Sequence, residues 1–324
     1  MLVHRDINNL PFFKNAAITI GTFDGVHSGH VQIINQLKKE AQRNEGETVI
    51  ITFDPHPRMI LNQQTNKPPI QLLNTLPEKI ELLNKQGIDH LVIVPFTVEF
   101  SNQTADEYIA DFLVSKFKPK TIIIGYDHRF GKNRTGDYKL MEKYQQTFNY
   151  EVKEIPQHVL HHVIISSTKI REALKNGDII TANECLGYDY FIEGKVIQGN
   201  QLGRTLGYPT ANLQINNRNK LVPADGIYAV SVSIRKETND SPSGFVAESH
   251  HLGMLSTGWR PTIGDNKKMI EVNIFDFNED IYDRDLRVYF KQFMRKELKL
   301  NSLDELKEQI AIDEVDAKKI LGYE

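Results

Sequence analysis

Five short apolar runs punctuate the first half of this chain, and helical spacing fills the gaps between them. Residues 16–21, 48–53, 90–94, 121–125 and 150–155 each have the length of a strand. Between them Ile33, Ile34, Leu37 and Ala41, and later Tyr108, Ile109, Phe112 and Leu113, recur at the period of a helix. Strands that alternate with helices in this way predict a parallel sheet covered by its crossover helices. Ligands bind such sheets beyond the carboxyl ends of the strands, where residues 22–30, 54–58 and 126–137 emerge.

Near residue 186 the pattern changes. Segments 190–197, 227–234, 269–275 and 286–293 read as strands without long helices between them, and Tyr228, Val230, Val232 and Ile234 alternate at period two. A compact antiparallel barrel is the expected outcome, so the chain divides into 1–185 and 186–324. A final helix is expected from Ser302, with Ser302 and Glu305 as a capping box. Leu303, Leu306 and Ile310 would form its buried stripe and Gly322 its C-terminal cap. Residues 235–250 are polar and turn-rich and read as an exposed loop.

Composition excludes several classes of function. A net charge of −3 offers no field for nucleic acid or an anionic membrane surface, so any anionic ligand must be held locally. One cysteine, Cys185, permits no internal disulfide and suits a reducing cytoplasm. No apolar run reaches the ~20 residues that span a bilayer, and the first residues lack the apolar core of a signal peptide. The oligomeric state is left open.

"GTFDGVHSGH", residues 21–30, carries the first chemical signal. A strand ending before it and a helix opening near Gly29 put His27 and His30 on a first helical turn. Free backbone N–H groups and the positive end of the helix dipole gather there. Three readings fit the tetrapeptide alone: phosphate binding, a structural pair of turn histidines, and a metal site. The metal would need further ligands, which no H-E-x-x-H pattern or cysteine cluster offers. "ISSTKIREAL", residues 165–174, adds a second helix start with Ser166, Ser167 and Thr168, and with Arg171 one turn in. Hydroxyls there commonly only cap a helix, but an arginine in that place can clamp a terminal phosphate. Two anion-type helix starts suit a polyphosphate better than two decorative caps.

In the second half, "GKVIQGNQLGRTLGYPTANL", residues 194–213, is glycine-rich without being a P-loop. Thr210 and Asn212 lie two apart and share a face of an extended strand. Their oxygens suit Mg²⁺ with phosphates completing its shell. "MIEVNIFDF", residues 269–277, alternates so that Ile270, Val272 and Ile274 share one face and Glu271 and Asn273 the other. Glu271 is either a general base or an ordinary solvent-facing carboxylate on an amphipathic strand.

"GTFDGVHSGH" with "ISSTKIR" resembles the HxGH nucleotidyltransferases. "FDPHP", residues 53–57, and "GYDHRFGKNRTGD", residues 125–137, narrow the resemblance to the FMN adenylyltransferase module of bacterial FAD synthetases. "GRTLGYPTAN", "PADGIYAV", "GMLSTGWRPT", "EVNIFDF" and "RKELKLNSLDELKEQIAID" follow in the order of the riboflavin kinase module. The resemblance implies a Rossmann-like α/β domain followed by a riboflavin kinase-like barrel with a terminal helix. It implies two reactions: riboflavin and ATP give FMN and ADP, then FMN and a second ATP give FAD and pyrophosphate.

The roles it implies are specific. His27 and His30 stabilise the triphosphate and the charge developing at the α-phosphate. Gly21, Phe23, Asp24 and Gly29 shape that ATP site, and Ser167, Thr168 and Arg171 hold the outer phosphates. Asp127, Arg129 and Arg134 line the FMN side. No base is required there, because the FMN phosphate is already an anionic nucleophile. In the second module Thr210 and Asn212 bind Mg²⁺–ATP under a glycine-rich loop, residues 199–207, that includes Gly203, Arg204 and Gly207. Glu271 deprotonates the ribityl hydroxyl, with Asn273 and Arg295 on the riboflavin side. Four residues depart from the family pattern: Thr22 stands for asparagine, His128 for phenylalanine, Ser256 for asparagine, and Trp259 for a smaller residue expected to pack. The 235–250 loop also looks long. Two rival readings are a nucleotidyltransferase for another phosphorylated alcohol beside a flavin-binding barrel, and a flavin or nucleotide sensor without catalysis.

Overall fold

The computed structural model describes residues 1–155, 165–199, 202–236, 245–262 and 265–323. They form two compact units, 1–166 and 167–324.

The first unit contains β1 (Leu2–His4), β2 (Ala17–Ile20), α1 (Ser28–Arg43), β3 (Thr48–Asp54), α2 (Pro57–Gln64), α3 (Leu76–Asn84) and β4 (His90–Pro95). A composite helix α4 follows, from Ala105–Glu107 through a π-helical stretch, Tyr108–Val114, to Ser115–Phe117. Then come β5 (Thr121–Gly125), α5 (Tyr138–Phe148) and β6 (Glu151–Ile155). All five strand pairings are parallel, in the order β1-β4-β3-β2-β5-β6. Every residue of β2 is buried, as are all of β3 and β4 except Asp54 and Pro95. Helices on both faces explain why these strands read as unbroken apolar runs. Order reverses between β2 and β5, and the crevice beyond their carboxyl ends is the topological switch point. Residues 21–27 leave β2 there and residues 126–137 leave β5 there. Sequence periodicity misses β1, which is three residues long and pairs only with β4.

The second unit opens with α6 (Ser167–Lys175) and α7 (Ile179–Leu186). Six strands then close a barrel: β7 (Phe191–Ile197), β8 (Ala211–Ile215), β9 (Gly226–Arg235), β10 (Ala247–Thr262), β11 (Asp265–Ile274) and β12 (Asp285–Arg295). Their order is β10-β11-β8-β7-β12-β9, every pairing is antiparallel, and a short α8 (Leu202–Thr205) precedes β8. Tyr228, Val230, Val232 and Ile234 alternate into the core as expected, while Ala229 between them meets Met254, Phe275 and Ala317. The helices α6 and α7 belong to this unit by packing. Asn183 of α7 donates to the Phe290 carbonyl (2.9 Å) and accepts from the Tyr190 N–H (2.8 Å). The Ala224 N–H donates to the Leu174 carbonyl at 3.0 Å.

Several local expectations need correcting. Arg235 ends β9 and Ala247 starts β10, so strand occupies both ends of 235–250, and 237–244 lie outside the described residues. The terminal helix α9 (Leu303–Leu321) has Ser302 as its N-cap, accepting from the Glu305 N–H at 3.1 Å. Glu305 returns to the Asn301 N–H rather than to that of Ser302, so the capping box is open on one side. Leu303 is 56% exposed. It lies at the free start of the helix, and Asp313 and Ala317 are the residues buried instead. Gly322 does cap the helix, in the left-handed region. Trp259 is 57% exposed and does not pack. No described helix is long and apolar enough to cross a membrane.

Candidate active sites

In the first unit the turn after β2 is held in an unusual backbone. Phe23, Gly25 and Val26 have φ of 47°, 93° and 39°. Positive φ at a β-branched residue costs energy, and such strain persists where the fold over-determines it. Asp24 supplies part of that determination: its buried carboxylate accepts from the N–H groups of Leu73 (3.0 Å) and Asn74 (3.2 Å). His27 is the N-cap of α1, and its Nδ1 accepts from the His30 N–H at 3.3 Å. The two imidazoles stack with centroids 3.7 Å apart and 17° from parallel. Gly29 makes this possible, since a Cβ there would stand 3.2 Å from the His27 ring. Phe23 packs against His30, 4.9 Å between centroids, and a Cβ at Gly21 would stand 3.2 Å from the Phe23 ring.

Electrostatics keep His30 uncharged. Burial first, then His27 and Lys79, push its imidazole well below the ordinary histidine range. Its Nδ1 is buried without a hydrogen-bond partner among the described residues. Such a ring can give or take a proton-mediated contact with an incoming anion. Lys79 is a residue that sequence reasoning missed. It lies on α3, is 5% exposed, and burial lowers its ammonium while Asp24 and Asp54 raise it. Its only sequence signal is a lysine inside an otherwise amphipathic helix, which is too common to single out.

Beyond β5, Asp127, Arg129 and Arg134 are all exposed, with Asn133 and Arg134 at φ of 57° and 59°. His128 turns inward beside Phe130, 5.9 Å between centroids, and its Nε2 is buried without a partner among the described residues. Burial brings its imidazole down to about 4.

The second unit brings Glu271, Asn273 and Asn212 onto one barrel face. Glu271 stands directly opposite Asn212 on β8 and opposite Ser256 on β10. Residues directly opposite in a ladder share a face. Asn273 faces Met254, so this is the side on which the terminal helix packs. Asn212 is buried, and its Oδ1 has no hydrogen-bond partner among the described residues. The glycine-rich segment closes on it: a Cβ at Gly199 would overlap the Asn212 amide at 2.1 Å. A Cβ at Gly203 would meet the Tyr208 carbonyl at 2.3 Å and the Thr210 hydroxyl at 3.3 Å. Gly207 turns at φ 89°, Arg204 is exposed, and residues 200 and 201 lie outside the described residues. An orphaned amide oxygen under backbone that admits no side chain fits a hard cation with phosphate oxygens.

Two further residues have fixed partners. Asn273 Nδ2 donates to the Pro209 carbonyl at 2.8 Å, on the segment leading to Thr210. Arg295 grips Asp313 of α9 with two parallel hydrogen bonds, 2.7 Å and 2.5 Å, and donates to the Lys296 carbonyl. Ser167 and Thr168 open α6 and Arg171 lies one turn in, with Arg171 buried and Thr168 exposed.

Comparison with known proteins completes the description. The family model "FAD synthetase" matches residues 11–169, and the model "Riboflavin kinase" matches residues 186–321. The chain is 34% identical over 324 residues to a bifunctional riboflavin kinase/FMN adenylyltransferase of Escherichia coli, covering 99% of this chain and 98% of that protein. A protein of the same description from Listeria monocytogenes is 35% identical over 305 residues, covering 94% and 92%. Among solved structures, one titled as a macrolide-efflux protein from Streptococcus pneumoniae superposes with a TM-score of 0.83 at 29% identity, covering 97% of both chains.

Proposed function

The chain belongs to the bifunctional riboflavin kinase/FMN adenylyltransferase family, and from that premise we propose how its own residues divide the two reactions. It phosphorylates riboflavin with ATP to FMN, then transfers the adenylyl group of a second ATP to FMN, releasing pyrophosphate and FAD. Adenylyl transfer is the work of 1–185 and phosphorylation that of 186–324.

In the adenylyl transfer the FMN phosphate oxygen attacks the α-phosphorus and the pyrophosphate leaves. The imidazoles of His27 and His30 donate to phosphate oxygens as charge builds there, aided by the α1 N-terminus. Gly21, Phe23, Asp24 and Gly29 hold the turn in place. Ser167, Thr168 and Arg171 bind the outer phosphates that become pyrophosphate. Asp127, Arg129 and Arg134, displayed beyond β5, orient FMN.

In the phosphorylation Glu271 accepts the proton of the terminal ribityl hydroxyl as that oxygen attacks the γ-phosphorus. Thr210 and Asn212 would hold Mg²⁺, which would supply positive charge to the polyphosphate and the transferring group. Gly203, Arg204 and Gly207 cover the nucleotide. Asn273 and Arg295 complete the riboflavin side, steadied by Pro209 and Asp313. The enzyme works on small molecules in a reducing cytoplasm, which its single free cysteine suits, and needs no nucleic acid partner.

The observation that carries the assignment is the register of Glu271 directly opposite Asn212, whose amide oxygen has no hydrogen-bond partner among the described residues. A chromatographic time course with riboflavin, ATP and Mg²⁺ tests it. FMN appears first and FAD follows; binding of riboflavin and ATP without turnover would overturn it.

A further inference from the structure

The outward face of α9 carries a stripe that complements itself, and we propose that it pairs antiparallel with the same helix of a second copy of this chain. The helix buries Asp313 and Ala317 toward the barrel, with Ile310 and Leu321 partly buried beside them. On the opposite side stand Glu308, Ile312, Val315 and Lys319, spaced four, three and four residues apart, which places them in one row. Ile312 is 55% and Val315 66% exposed, and Glu308 and Lys319 are exposed too. Two branched apolar side chains at the centre of a helix face in water have nothing to cover them within the described residues. Neither Glu308 nor Lys319 has an ion-pair partner among the described residues, whereas neighbouring Lys318 pairs with Glu314 at 2.7 Å.

Charge order selects the occupant and its direction. A two-fold axis between Asp313 and Glu314 lays Ile312 on Val315 of the other copy and Glu308 beside Lys319, each contact made twice. A parallel pairing would set Glu308 on Glu308 and Lys319 on Lys319. The antiparallel arrangement therefore has an apolar centre closed at both ends by opposite charges. One helix face against another buries well under the ~1,600 Å² of a stable interface, so the dimer is reversible and forms with concentration.

Sedimentation velocity of the full chain, from low to high micromolar concentration, provides the test. The weight-average mass rises toward that of a dimer. Val315→Glu holds the protein monomeric over the same range. Glu308→Lys, which sets like charges face to face at both ends, weakens association by at least about tenfold. Lys319→Glu does the same, and the double exchange Glu308→Lys with Lys319→Glu restores it. FMN and FAD formation at high dilution, unchanged in every variant, shows that the fold is intact. A wild-type chain that stays monomeric throughout overturns the proposal. So does single reversal without effect, a double exchange that fails to restore association, or loss of either activity in Val315→Glu, which would mean that the face packs within the molecule.

Discussion

The rings of His27 and His30 lie face to face at 3.7 Å, so that charge on His27 opposes charge on His30. A triphosphate reverses that balance by supplying the negative charge that two cationic or donating imidazoles need. Removing one ring then removes a donor from the developing charge at the α-phosphate. His30→Ala is expected to lower FAD formation by about 10²–10³-fold while leaving FMN formation intact. Normal FAD synthesis by this variant, followed by chromatography, would sink the assignment of the first site.

Asn212 gives the second site a cost as well as a use. A buried amide oxygen without a partner forfeits about 1–3 kcal/mol, which an apolar residue of similar shape recovers. Asn212→Leu is therefore expected to unfold at higher denaturant concentration than the wild type. The same variant should lose Mg²⁺-dependent FMN formation by about 10²-fold or more, and Glu271→Gln should lose FMN formation without the gain in stability. Both variants should still convert supplied FMN to FAD. A gain in stability with full kinase activity would separate Asn212 from the metal.

Lys79 should matter to adenylyl transfer although no motif contains it. Its buried ammonium acts on His30 and is held against Asp24 and Asp54. Lys79→Met removes the cation that opposes a proton on His30, and it leaves two carboxylates without their counter-charge. FAD formation should fall by about tenfold or more, and its pH profile should shift toward higher pH as the His30 imidazole becomes easier to protonate. A drop in rate with an unmoved profile would assign Lys79 to structure alone.

His128 makes stability depend on pH. Its folded-state imidazole titrates at about 4, below the ordinary value of 6.5, because burial disfavours the charged ring. As pH falls through 6.5 the unfolded chain takes up a proton that the folded chain refuses. Stability is complete above 6.5, is lost progressively below it, and levels off below about 4. His128→Phe, the residue implied by the family resemblance, cannot titrate. Urea unfolding at pH 5 should show the variant gaining about 1–2 kcal/mol on the wild type relative to pH 7.5. Equal pH dependence in the two proteins would remove His128 from the account.

The central strands were legible because burial on both faces leaves an apolar run that few other structures produce. The histidine pair was legible as a helix start, since the strand before it and Gly29 within it fix where α1 opens. Strand β10 was not, because its sequence, from Ala247 through His250 and His251 to Trp259, has no clean period two and its start lies within a polar, turn-rich stretch. Its sixteen residues are held by pairing with β9 and β11, a tertiary cause that local pattern does not carry. Leu303 failed for the opposite reason: periodicity assigned it to the buried stripe, but the helix begins before the barrel is there to cover it. Lys79 was hidden by residue type, because a buried lysine and a solvated one look alike in sequence.

The place of α6 has a consequence for how this gene could be divided. Ser167, Thr168 and Arg171 serve the first reaction in our reading, yet the helix that bears them folds with the barrel unit, where its Leu174 carbonyl accepts from the Ala224 N–H. A chain cut near residue 166 would part the adenylyl-transfer half from its outer-phosphate groups. A cut near residue 186 would strip two helices from the barrel and bare Ile179, Ala182 and Leu186. On that reading neither breakpoint leaves both halves whole.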